Sequence, residues 1–309
     1  MKKTGNPSSA SRLQVWLRVS RANFLPTSLL PFCLGTALAF SRGFYNLPLS
    51  LAGLLGAGLV HLAANLFNEY WDYRYRADLP AGERSPHYGG SGAIQEGAVS
   101  PRAVLAAAWA GLTVALAGGA ALSLALANFL VIVLAVLGGA IAWAYTAPPL
   151  RLIYRGGGEA ALWLAFGPLL TGGGYLLPAG DLSGPVLLLS LGPGFMIAAL
   201  LTANEFGDTA ADARAGKRNL VVRAGAKRGL VLVGIFLSLS FLVPLLGAVA
   251  GTLPTLALLV LLGLPPAALV PVRLARGVGG EEGFAFSSRL MISVYNLYHF
   301  LLIAGLVIR

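Results

Sequence analysis

Charge is scarce in this chain. Of its 309 residues only 11% are charged, against about 25% in an ordinary soluble domain, which excludes a water-soluble globular protein. Cysteine is nearly absent: Cys33 stands alone inside an apolar run, so no intrachain disulfide can form and no redox compartment is implied. The first apolar run has no small-residue cleavage pattern, so a retained span is expected there and not a signal peptide. No Walker lysine follows Gly89-Gly90-Ser91-Gly92, which excludes a P-loop. That run reads equally as a backbone nest for phosphate and as a plain flexible loop.

What is present is apolar length. Hydrophobic residues make up 57% of the chain and the mean hydropathy is +0.76. A membrane crossing needs roughly 20 apolar residues. On that ruler nine spans are expected, near 24–41, 48–67, 103–122, 125–144, 159–178, 184–203, 229–249, 254–272 and 289–308. The predicted fold is an all-α integral membrane protein, a single domain over 1–309 with nine transmembrane helices around a central cavity. Residues 1–20 are expected to be a cytoplasmic tail.

The connections alternate between short turns and long polar loops. Every lysine and arginine except Arg42 and Arg309 lies in the N-terminal tail or the long-loop set. The positive-inside rule then places the N-terminus and long loops in the cytoplasm and the C-terminus outside, in a cell (inner) membrane. This topology accounts for the net charge of +10 with the lipid bilayer as partner and no nucleic acid.

The acids need a different account. All but Asp181 fall on the same side as the long loops, yet carboxylates contribute little to orientation. They cluster in two copies of one pattern. Asn68-Glu69-Tyr70-Trp71-Asp72 recurs as Asn204-Glu205-Phe206-Gly207-Asp208, each at the end of an even-numbered span. Asn68 and Asp72 share a helix face, Asn65 and Glu69 make a second pair beside them, and Asp78 follows. In the second copy Asn204, Asp208 and Asp212 form an i, i+4, i+8 stripe. Two oxygen-lined helix ends meeting at one mouth suit magnesium, which takes a few carboxylates together with substrate phosphate oxygens. Polar helix ends at the lipid interface would explain one copy, but not two in the same order. Interleaved cations, Arg151 and Lys217 among them, suit a pyrophosphate leaving group. His61 and His299 are expected to be hydrogen-bonded packing residues, and Tyr295 and Tyr298 lipid or packing contacts.

These motifs resemble those of the UbiA superfamily of membrane prenyltransferases. Asn65-x-x-Asn68-x-x-x-Asp72-x5-Asp78 is similar to its first aspartate-rich motif, in the spacing found among naphthoate prenyltransferases. Asn204-x3-Asp208-x3-Asp212 with Gly216-Lys217-Arg218-Asn219-Leu220 is similar to the second. Tyr145-Thr146-Ala147-Pro148-Pro149-Leu150-Arg151 resembles the segment after the family's fourth helix. Arg21 to Leu38, ending Leu30-Pro31-Phe32-x-Leu34-Gly35, resembles its first helix. Glu69 stands where an aspartate is commoner, and Gly207 where many naphthoate enzymes carry arginine.

The resemblance implies Mg2+-dependent transfer of a polyprenyl group from a polyprenyl diphosphate to an aromatic acceptor, with 1,4-dihydroxy-2-naphthoate the first choice. Hydroxybenzoate, homogentisate and glycerol-phosphate lipids are the alternatives within the superfamily. It implies that Asn68, Asp72, Asp78, Asp208 and Asp212 bind metal. Arg151, Lys217, Asn65 and Asn204 would bind the diphosphate, and Tyr145 would act beside Asp72 and Asp208 near the reacting carbon. A cation transporter would instead need ionisable residues near mid-membrane, where these spans offer almost none. A non-catalytic relative would be expected to have lost a motif aspartate, and none is missing.

Overall fold

The computed structural model describes residues 11–77, 90–277 and 281–308. Among these there is no strand. The helices are α1 (Arg12–Val19), α2 (Leu25–Ser41), α3 (Leu47–Tyr75), α4 (Pro101–Ala125), α5 (Phe129–Ala144), α6 (Leu152–Arg155), α7 (Gly158–Leu164), α8 (Leu170–Ala179), α9 (Gly184–Arg214), α10 (Leu220–Ala224), α11 (Ala226–Val249), α12 (Leu264–Gly277) and α13 (Glu281–Val307). A π-turn at Ala165–Leu169 joins α7 to α8 into one span, and a 3-10 stretch, Thr255–Gly263, leads into α12. Eight stretches are long and apolar enough to cross a membrane, and α5 is a ninth, shorter apolar helix. The chain is a multi-pass membrane protein.

Several expected boundaries move, α13 for one beginning at Glu281 and not near 289, and three of the shifts have a clear local reason. The span expected at 125–144 begins at Phe129, because Asn128 caps α5 by accepting from Leu130 N at 3.1 Å. The spans expected at 48–67 and 184–203 run on through the acidic motifs to Tyr75 and Arg214. Polar residues confined to one face do not end a helix, so hydropathy alone undercounts these two. At 29 and 31 residues they are about 43 and 46 Å long, well beyond a hydrocarbon core of about 30 Å. The segment before the first span carries local structure of its own. Arg12–Val19 forms a helix with a Ser11–Gln14 capping box, and Arg18 pairs with Glu96 at 2.6 Å.

α9 is the central post and is mostly buried, whereas α3 is largely exposed along its apolar length and borders a cavity. The main core gathers residues of α2, α9, α11 and α13. Leu34, Leu189, Met196, Tyr298 and Leu302 are among its fully buried members. Small residues allow the close crossings that a lipid-embedded bundle relies on. A Cβ on Gly35 of α2 would stand 1.9 Å from Thr171 O of α8, and one on Gly174 of α8 would stand 2.0 Å from Phe32 O. Tyr295 donates to Thr27 O at 2.5 Å, Tyr298 to Ser240 O at 3.0 Å, and His299 Nδ1 lies 2.8 Å from Tyr295 O. All three are packing residues.

Candidate active site

α3 and α9 bring their C-terminal ends together. Arg76 adopts a left-handed conformation (φ 54°) and closes α3, and the backbone N–H of Ala77 returns to Asp72 O at 2.9 Å. α9 closes in the same manner, with Gly216 at φ 78° and Lys217 N bonded to Asp212 O at 2.9 Å. Asp72 and Asp212 therefore occupy equivalent places in the last turns of their helices. The motif repeat pairs Asp72 with Asp208, but the helix ends pair it with Asp212, one turn further on. A carboxylate at a helix C-terminus sits at the negative end of the dipole, so this is an electrostatically unfavourable place that calls for a cation.

Lys217 supplies one. Its Nζ lies 3.0 Å from Asp72 Oδ2 and 3.3 Å from Asp212 Oδ1. Asn68 Nδ2 donates to Asp72 Oδ2 at 3.3 Å, and Asn219, fully buried, donates to Asp212 Oδ2 at 2.8 Å. The other Asp72 oxygen accepts from Tyr154 OH at 2.7 Å. Burial, and then the charge of Asp72 beside it, push the Tyr154 phenol above its ordinary value, so it stays protonated and donates. Arg151, also at positive φ (47°), lays its guanidinium 3.8 Å from the Tyr75 ring centroid and 4.5 Å from that of Tyr154. Its Nε is buried with no hydrogen-bond partner among the described residues.

The two motif glutamates do something else. Glu69, 1% exposed, accepts from Ser91 N at 3.1 Å and from Ser91 Oγ. Glu205 accepts from Val221 N at 3.3 Å, and Glu159 accepts from Leu220 N at 2.6 Å. Each motif glutamate thus fastens the loop that follows its own helix. Ser91 N, spent on Glu69, does not build a phosphate nest.

The remaining expected residues are placed as follows. Asp208 lies half-buried one turn before Asp212. Asn204 Oδ1 accepts from Ser288 Oγ of α13 at 3.0 Å. Asn65 faces the cavity and bonds to His61, with Nδ2 3.0 Å from Nε2. Tyr145, at the end of α5, lines the same cavity. Asp78 lies outside the described residues, as do Gly82-Glu83-Arg84, a glycine-charge-arginine trio that Gly216-Lys217-Arg218 echoes after the second motif, and His87 and Gly89 of the first long loop. Sequence alone does not single out Tyr154, Glu159 or Asn219. Asn219 belongs to the Gly-Lys-Arg-Asn-Leu run, but Tyr154 and Glu159 carry no pattern that separates them from neighbouring loop residues.

Among the described residues no three of His, Cys, Asp and Glu converge as a ready cation cage. The donor chemistry nevertheless fits magnesium. Asp72 and Asp212 offer hard oxygens, and the ammonium held between them marks where their negative potentials add. Below this mouth opens a cavity of ≈ 660 Å³ bounded by α2, α3, α4, α5, α7 and α8. Its wall is almost entirely apolar side chains and glycine.

Gly207 explains one departure from the naphthoate pattern. A Cβ there would fall 2.4 Å from the ring of Phe284, which fills the space an arginine would take.

Comparison with other proteins adds to this geometry. Residues 28–292 match the profile of a family described as the UbiA prenyltransferase family. The 1,4-dihydroxy-2-naphthoate octaprenyltransferase of Haemophilus influenzae is 29% identical over 265 residues, covering 82% of this chain and 83% of that protein. Its namesake from Bacillus subtilis is 24% identical over 305 residues, covering 98% and 95%. The solved structure of a UbiA homolog from Archaeoglobus fulgidus bound to DMAPP and Mg2+ superposes with a TM-score of 0.64 at 18% identity, over 94% of this chain and 99% of that one.

Proposed function

The chain belongs to the UbiA prenyltransferase family and is an enzyme of prenyl transfer, and we propose that it moves a polyprenyl group from its diphosphate to 1,4-dihydroxy-2-naphthoate with the help of Mg2+. The observation that carries this reading is the meeting of Asp72 and Asp212 on Lys217, at the mouth of a long apolar cavity. The acceptor is chosen because two relatives of that name align over more than four-fifths of the chain.

In this reading Asn68, Asp72, Asp78, Asp208 and Asp212 hold the metal, which neutralises diphosphate charge and assists its departure. Lys217 and the free Nε of Arg151 take diphosphate oxygens, and Asn65 and Asn204 border that site. Tyr154 keeps one Asp72 oxygen engaged, so the carboxylate presents the other. Glu69 and Glu205 anchor Ser91 and Val221, which follow the two motif helices. The apolar cavity receives the prenyl tail and keeps water from the allylic carbon as its bond to oxygen breaks. Tyr145 stands on the wall where that carbon would lie. The ring carbon of the acceptor then forms the new bond and loses its proton. Loop charge orients the protein with its N-terminus and active-site loops in the cytoplasm and its C-terminus outside, in the cell membrane.

The test uses purified protein in detergent, Mg2+, a labelled polyprenyl diphosphate and a panel of aromatic acceptors, with products identified by mass. A prenylated naphthoate is expected, lost with EDTA and in Asp72→Asn or Asp208→Asn protein that still melts cooperatively. Full turnover in both variants would remove the site assignment. Product from another acceptor in preference to the naphthoate would remove the acceptor.

A further inference from the structure

The cavity wall is apolar except along one line. Of its lining residues only Ser28, His61, Asn65, Asn68 and Tyr145 carry polar side chains. Three of them, His61, Asn65 and Asn68, follow one face of α3 at i, i+4 and i+7, and Asp72 continues the line at i+11. A polar stripe therefore descends from the acidic mouth into the cavity for about 16 Å.

Its deeper part is an ordered hydrogen-bond chain. Ser28 Oγ of α2 lies 2.7 Å from His61 Nδ1, and His61 Nε2 lies 3.0 Å from Asn65 Nδ2, which also donates to His61 O at 3.0 Å. An amide N–H on Nε2 makes that nitrogen an acceptor, so the ring proton sits on Nδ1 and points to Ser28. Among the described residues this leaves three groups with no partner: the carbonyl oxygens of Asn65 and Asn68, and the hydroxyl hydrogen of Ser28. A hydrocarbon tail offers these groups nothing, and polar groups facing hydrocarbon are costly unless bonded.

We propose that Ser28, His61 and Asn65 form the recognition site for the polar substituents of the acceptor, a flat hydroxyaromatic acid. The Asn65 carbonyl accepts from a phenolic hydroxyl, and the Ser28 hydroxyl faces its carboxylate. The ring lies against α3, beneath the diphosphate end, and the prenyl tail takes the remaining apolar wall. This rests on the prenyl-transfer reading above. The competing account is that the three side chains merely join α2 to α3, as polar residues do between membrane helices.

Steady-state kinetics of His61→Phe and Ser28→Ala separate the two. Recognition predicts that the KM for 1,4-dihydroxy-2-naphthoate rises about tenfold while the KM for prenyl diphosphate holds. It also predicts that the wild-type preference for this acceptor over 1,4-dihydroxynaphthalene, which lacks the carboxylate, is lost. Helix joining predicts a lower melting temperature with that preference intact, and such a result overturns the proposal. Should His61→Phe fail to fold, Ser28→Ala, which deletes one oxygen, carries the same preference test. A wild-type enzyme that prenylates no hydroxynaphthoate sinks the acceptor assignment itself. A productive wild type whose variants match it in acceptor KM and preference sinks only the wall.

Discussion

Lys217→Met tests whether the ammonium between α3 and α9 stands where a divalent cation belongs. Its Nζ is 3.0 and 3.3 Å from carboxylates of Asp72 and Asp212, and the three side chains are 14%, 5% and 12% exposed. Methionine keeps the length and apolar stem and removes the charge. Two buried carboxylates then face each other at the negative ends of two helices. Breaking a buried pair from one side costs roughly 3–5 kcal/mol, and at about 2–4 °C per kcal/mol for a large domain melting in EDTA should fall by about 10 °C. If Asp72 and Asp212 are metal ligands, millimolar Mg2+ should recover much of that loss, because a ligand bound only by the folded state stabilises it. The Mg2+-induced rise in melting temperature should therefore be larger in Lys217→Met than in the wild type. Intrinsic-fluorescence melting of the detergent-solubilised protein, in EDTA and in Mg2+, reads both numbers. A variant that melts with the wild type in EDTA would refute the electrostatic reasoning. Equal Mg2+ responses would refute the metal assignment.

Two further outcomes follow from the geometry. Glu69→Ala strips the acceptor from Ser91 N and Oγ at a cost of about 1–3 kcal/mol, so amides of residues 90–94 should exchange faster with deuterium; Glu69→Gln, which keeps one acceptor oxygen, should protect them. Gly56 lines the cavity, and a Cβ there would meet nothing within 4 Å. It lies about 18 Å along α3 from Asn68, so Gly56→Phe should lower transfer from a long polyprenyl diphosphate at least about tenfold more than from a short one; equal losses would place the tail elsewhere.

Much of this was readable from residues alone because lipid imposes strict rules. Apolar length gives crossings, and the loops between them divide by charge. The repeat of Asn-Glu-aromatic-x-Asp marks two helix ends. What sequence does not carry is which oxygen meets which. Glu69 and Asp72 look alike as neighbouring acids, yet one ties down Ser91 and the other faces Lys217. The difference is three residues of helical rotation, about 300°, and it matters only once the partner is in place. Tyr154 reaches Asp72 across 82 positions of sequence, a contact set by the fold of the segment after α5. His61 reads as packing, and its bonds to Ser28 and Asn65 agree. That it also borders a cavity depends on how α4, α5 and α8 stand around it.

Charge at the mouth gives the strongest reason for metal dependence. Among the described residues, Asp72 and Asp212 bring two buried carboxylates to a single ammonium, that of Lys217. A diphosphate ester adds at least two more negative charges, so donor and site together are strongly anionic without another cation. In a water-poor mouth, charges of one sign repel far more than in bulk solvent. The carboxylates would then exclude the diphosphate that Arg151 is proposed to receive. Divalent cations would reverse the sign of that interaction, because carboxylate and phosphate oxygens both suit them as ligands. Lys217 would fit both conditions: its ammonium holds the two aspartates together, and in the proposed reading it would turn to the diphosphate where a metal took over the carboxylates. The unequal halves of the repeat follow from this. α9 runs one turn past its motif aspartate, Asp208, and delivers both Asp212 and the lysine that neutralises it. α3 ends within a turn of Asp72 and leaves that charge to be met from across the mouth.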